Sequence, residues 1–145
     1  VAILGTPDYM SPEQATGNAD DVAIASDVFS LGGLTYTAVT GERPFEAQSV
    51  PALLRKICDE EPLPIAELRS DVPAGVANVL AVAMAKRPAD RYASASDFAR
   101  DLRAALGGTI DAAVEQRARQ IRPDRPASRR TKPSSISPTG QTHLA

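Results

Sequence analysis

Ser26-Asp27-Val28-Phe29-Ser30-Leu31-Gly32-Gly33-Leu34-Thr35-Tyr36-Thr37-Ala38-Val39-Thr40-Gly41 is the most apolar helical stretch of this 145-residue chain. Val28, Phe29, Leu31, Leu34, Tyr36, Ala38 and Val39 go almost all the way round a 3.6-residue period, so the stretch reads as a buried helix stopped by Gly41. A helix of that kind needs neighbours on several faces.

The flanking sequence supplies them. Upstream, Ser11-Pro12-Glu13-Gln14 starts a short helix, with Ser11 placed to cap, Pro12 at the first helical position and Gln14 able to reach back; Gly17 ends it. Downstream, a helix is expected over Ser49 to Cys58, before the breaker-rich Glu61-Pro62-Leu63-Pro64. Another begins near Pro73 with Ser70 or Asp71 as its cap, carries Val76, Val79, Leu80, Ala83 and Met84 on one face, and is bounded by Pro88. A further one, capped by Ser94 with Asp97 three residues on, should bury Phe98, Leu102 and Leu106 and stop at Gly107-Gly108. Strand-like alternation never exceeds about four residues, so the fold class is mainly α.

Composition narrows the function classes. With 43% hydrophobic and 23% charged residues the chain suits one modest globular core. Its single cysteine, Cys58, cannot form an internal disulfide and reads as a packing residue. The longest apolar run, Val79 to Ala85, is far short of the roughly 18 to 20 residues needed to cross a bilayer. No transmembrane segment is expected, nor a leader peptide at Val1, and the location is read as cytoplasmic. A chain opening on Val1 reads as part of something longer. Residues 1–106 hold 15 acidic and 9 basic side chains, whereas residues 107–145 hold 3 acidic and 7 basic. That shift divides a domain at 1–106 from a basic tail at 107–145, largely disordered, with a short helical turn possible over 110–120. The tail's charge would suit nucleic acid or an anionic lipid surface, but it has no aromatic residue for base stacking, and no nucleic-acid partner is expected.

Three features need explaining. Asp27 opens the apolar helix, where a buried carboxylate requires a partner; it either caps the helix or anchors another loop. Arg91, in Arg87-Pro88-Ala89-Asp90-Arg91-Tyr92, lies between two helices that should pack together, and burial there would demand a bidentate carboxylate that spacing alone does not identify. Gly5-Thr6-Pro7-Asp8-Tyr9-Met10 is a turn-forming loop.

Taken in order, these blocks resemble the second half of a protein kinase catalytic domain of the bacterial serine/threonine type, over residues 3–106. Gly5 to Gln14 is similar to the family's substrate-side loop running into its Ala-Pro-Glu motif, with Ser11 in place of the Ala; Ser26 to Gly32 is similar to the start of its central helix. Leu34 to Phe45 continues that match, and Lys86 to Tyr92 is similar to its late Arg-containing turn. The resemblance implies the helical C-terminal subdomain of the large lobe. It implies that Gly5, Thr6, Pro7, Tyr9 and Met10 bind the protein substrate, Thr6 favouring Ser/Thr acceptors and Tyr9 packing beneath the loop. Glu13 and Arg91 would form an ion pair fixing that loop, and Asp27 would hold the catalytic loop's backbone.

The catalytic motifs themselves are missing from the sequence. There is no G-x-G-x-x-G and no lysine in a V-A-I-K context, the only histidine is His143 in the tail, and neither His-Arg-Asp nor Asp-Phe-Gly occurs. The reading is therefore part of a serine/threonine protein kinase that would use ATP and Mg²⁺ when complete. No catalytic residue and no metal ligand is assigned to this chain, which alone is expected to be inactive without the N-terminal part of the domain. The alternative is a non-catalytic kinase-like module that binds protein.

Overall fold

A 3-10 turn at Pro7–Tyr9 leads into α1 (Pro12–Ala15), followed by α2 (Ile24–Thr40), α3 (Val50–Asp59), α4 (Ile65–Leu68) and α5 (Ala74–Ala83). A second 3-10 turn at Pro88–Asp90 precedes α6 (Ala95–Leu106) and α7 (Ala112–Ile121). The computed structural model describes residues 7–18 and 23–122, with no strand among them, so the fold is mainly α as the sequence indicates.

Local signals set most of the helix ends. The Ser11 capping box closes in both directions: Ser11 Oγ accepts from the Gln14 N–H at 3.4 Å, and Gln14 Oε1 accepts from the Ser11 N–H at 3.0 Å. Ser49 and Ser94 cap α3 and α6, accepting from the N–H groups of Ala52 and Asp97 at 3.4 and 3.1 Å. Gly41 ends α2 in the left-handed region, φ 78°, with its N–H donating to the Thr37 carbonyl at 2.8 Å.

Tertiary packing departs from the sequence reading in five places. The helix enclosed on nearly all sides is α5, not α2: Gly75, Val76 and Val79 to Ala83 are all buried between α2, α6 and α7. Neither Ser70 nor Asp71 caps α5; Pro73 stands at its N-cap, and Asp71 is held by Arg69 at 2.7 and 2.8 Å. The helix also stops at Ala83, well before Pro88, and the Ala85 and Lys86 carbonyls beyond it accept from the Arg91 guanidinium instead of continuing an i→i+4 ladder. On α6 the buried row is Phe98 and Ala105 with partly buried Leu102, while Leu106 is 54% exposed because it sits about 100° further round than Ala105.

The fifth departure is α7. Asp111 caps it, Val114 and Ala118 are buried, and Ile121 packs on the core beside them, so ordered structure runs past residue 106 through Arg122. The composition boundary therefore falls inside the packed unit: arginines on the outer face mask an apolar row at helical spacing. The remainder of the basic tail, residues 123–145, lies outside the described residues. No helix among the described residues is long and apolar enough to cross a membrane.

Candidate functional site

Three parallel rows on α2 organise the site. Phe29, Gly32 and Tyr36 face the core, where Gly32 lets α5 approach so closely that a Cβ there would lie 2.8 Å from Met84 Cγ. One position round the helix, Ser26, Ser30, Gly33 and Thr37 form a row of small and hydroxyl-bearing residues at 4-3-4 spacing. A further position round, Asp27, Leu31, Leu34 and Ala38 are exposed.

The second row receives the Pro7–Met10 loop. Ser30 Oγ donates to the Tyr9 carbonyl at 2.7 Å and Tyr9 Oη donates to Thr37 Oγ1 at 3.2 Å. Gly33 lies between them, where a Cβ would come within 3.1 Å of the Tyr9 ring, so the ring approaches the helix this closely because position 33 has no side chain. Asp8 pairs with Arg43 at 3.2 Å, and Met10 packs against the core.

Ser26, the first of that row, joins a buried clamp. Arg91 Nη1 and Nη2 donate to the two Glu13 carboxylate oxygens at 2.6 and 2.8 Å, and Ser26 Oγ donates to Glu13 Oε1 at 2.6 Å. Arg91 also donates from Nε to the Ala85 carbonyl at 2.7 Å, from Nη1 to Ala25 at 2.9 Å and from Nη2 to Lys86 at 3.1 Å. All five guanidinium N–H groups are thereby used. The guanidinium also lies 5.0 Å from the centroid of the Phe29 ring. Arg91 and Glu13 have 0% and 5% of their side chains exposed, so neither charge is paid for by water. Burial pushes the Glu13 carboxyl up, but the hydrogen bonds from Arg91 and Ser26 and the adjacent guanidinium charge outweigh it and hold the group at about 2, below its ordinary 4.5.

Of the residues singled out in the sequence, the structure brings together Pro7, Tyr9, Met10, Glu13 and Arg91; Gly5 and Thr6 lie outside the described residues. For Asp27 the capping reading is corrected. Ala23 occupies the N-cap of α2 and donates its N–H to Ser26 Oγ at 3.4 Å, which leaves Asp27 one turn inside the helix and facing solvent. It is neither cap nor buried carboxylate, and it has no hydrogen-bond or ion-pair partner among the described residues. Cys58 packs, its Sγ 3.9 Å from the Pro12 carbonyl, and burial pushes its thiol up, away from the reactive thiolate. Sequence reasoning missed Ser26, Ser30, Gly33, Thr37 and Arg43; the one available signal was the row of small and hydroxyl residues interrupting an otherwise apolar helix.

No family model matches the chain. Among curated proteins, a probable serine/threonine-protein kinase of Corynebacterium efficiens is 43% identical over 129 residues, covering 86% of this chain and 19% of the relative. A probable serine/threonine-protein kinase PknB of Corynebacterium glutamicum is 44% identical over 105 residues, 70% of this chain and 16% of the relative. The serine/threonine-protein kinase PknA of Mycobacterium tuberculosis is 37% identical over 141 residues, 97% of this chain and 29% of the relative.

The chain is homologous to bacterial serine/threonine protein kinases. It spans less than a third of the length of these kinases. The helical fold agrees with the C-terminal lobe of a kinase, whose own helices here hold the Pro7–Met10 loop from beneath. The sequence of this kinase homologue contains no G-x-G-x-x-G, His-Arg-Asp or Asp-Phe-Gly motif.

Proposed function

We propose that this chain is the substrate-side portion of the large lobe of a serine/threonine protein kinase, whose complete form transfers phosphate from ATP to Ser or Thr of protein substrates. The observation that carries the reading is the Glu13–Arg91–Ser26 clamp, which fixes the end of the loop to α2 and the Arg91 turn with every guanidinium donor used. Rigid positioning of the acceptor segment is what phosphoryl transfer asks of a protein beyond its charge-stabilising groups. Gly5, Thr6, Pro7, Tyr9 and Met10 serve as the substrate surface, with Thr6 beside the acceptor hydroxyl. Glu13 and Arg91 position that surface without touching substrate.

The exposed row Asp27, Leu31, Leu34 and Ala38 adjoins the loop-bearing row and supports the same reading. In this role it meets the remainder of the catalytic domain, the Asp27 carboxylate accepting from backbone N–H groups of the catalytic loop. The chain itself supplies no group that moves a proton or holds a phosphate, so alone it is inactive; the complete enzyme works on the cytoplasmic side.

Reading the coding DNA upstream of the Val1 codon tests the proposal. An in-frame His-Arg-Asp followed by Asp-Phe-Gly is expected, and their absence overturns it. In parallel, the chain incubated with Mg²⁺, labelled ATP and a Ser/Thr-containing protein should incorporate no label, whereas the product of the complete reading frame should.

A further inference from the structure

α7 follows the last block that resembles the kinase family, yet it is wired to the part of the molecule that matters most to the loop. Arg117 Nη2 donates to the carbonyls of Asp90 and Arg91, each at 3.1 Å, and its guanidinium lies 5.3 Å from the centroid of the Tyr92 ring. One turn further on, Arg122 Nε donates to Glu61 Oε2 at 2.9 Å, while Val114, Ala118 and Ile121 hold the other face of α7 on the core. Arg91 is thus gripped from two sides: Glu13 takes its side chain and Arg117 its carbonyl. Among the described residues no other side chain bonds the Asp90 and Arg91 carbonyls; the turn's backbone bonds, Asp90 N–H to Arg87 and Arg91 N–H to Pro88, are both internal to it.

We propose that Arg117 is a positioning residue and α7 a strap: by fixing the Asp90–Tyr92 backbone, Arg117 sets the placement of the Arg91 guanidinium and, through Glu13, the order of the Pro7–Met10 loop. The inference rests on the kinase reading for the loop's role as a substrate surface, and on geometry alone for the coupling. The state of the segment after α6 is therefore felt at the loop.

Amide hydrogen exchange on the 145-residue chain tests this, because it reads loop order without any phosphotransfer; the coupling can then fail while the kinase reading stands, and the reverse. Arg117→Ala is expected to speed exchange at Met10, Ala15 and the Asp90–Arg91 amides by about tenfold, with α5 amides unchanged. Arg119→Ala, which removes an exposed side chain paired with Glu115 on the same helix, should leave all of them unchanged. Arg117→Lys retains donors for the two carbonyls and should restore most of the protection. Unaltered exchange at the loop in Arg117→Ala overturns the proposal. So does a rise spread evenly over every helix, including one from outright unfolding, or a failure of Arg117→Lys to recover loop protection.

Discussion

The Arg91 guanidinium meets two carboxylate oxygens and three carbonyls with its five donors, a geometry that neither a shorter cation nor a point charge reproduces. Removing it strands a buried carboxylate and several carbonyls together. Arg91→Ala should therefore lower unfolding stability by about 3–5 kcal/mol in urea titrations, and Arg91→Lys should recover only part of the loss. Glu13 adds a pH signature with a definite sign. Its carboxyl lies at about 2 when folded against an ordinary 4.5, so its contribution is fully present above pH 4.5 and is lost as the pH falls towards 2. Midpoints of denaturation measured down this range should fall more steeply for the wild type than for Glu13→Gln, which has no group to titrate there. The ionic pairing of Glu13 with Arg91 came from the family resemblance and not from spacing: a contact across 78 residues leaves no periodic trace. Ser26, which shares the carboxylate, was legible only as one polar residue at the start of an apolar helix.

At the scale of helices, the sequence was most informative where the determining interaction is local. Ser11 and Ser94 cap the helices they precede, since a cap is decided within four residues. It was least informative about which faces are covered. Apolarity around α2 suggested burial on all sides, yet Leu34 is 49% exposed and α5 is the enclosed helix; periodicity records what a face prefers, not what lies against it. Of α7 only a short helical turn over 110–120 was legible, its arginines reading as tail composition although Val114, Ala118 and Ile121 repeat at helical spacing and pack on the core. Adjacent glycines on α2 make the difference between rows measurable. An Ala at position 32 meets Met84 and Ala83 at 2.8 and 3.1 Å across the α2–α5 contact. Gly32→Ala should cost about 1–3 kcal/mol of global stability. Gly33→Ala presses only on the Tyr9 ring, and about 1 kcal/mol of helix propensity offsets it, so thermal midpoints should barely change while the Pro7–Met10 amides exchange faster.

For the molecule as a whole, loop, clamp and Arg91 turn form one connected unit drawn from residues far apart in the chain, resting on α2 and braced by α5 and α7. Whatever lies against the exposed Asp27–Ala38 row meets a surface already fixed on its far side. The clamp also carries a kinetic meaning. Helices α5, α6 and α7 pack through nearer contacts, whereas Glu13 and Arg91 must close a span of 78 positions, and closing a long loop is deferred until the intervening chain has collapsed. Glu13→Gln should accordingly leave the refolding rate nearly unchanged and put most of its effect into faster unfolding, visible in stopped-flow chevrons as a shift of the unfolding arm alone. The order of assembly then acts as a safeguard under the proposed function: the Pro7–Met10 loop acquires its shape last, only after the lobe that supports it is complete, so a half-folded chain presents no finished docking surface.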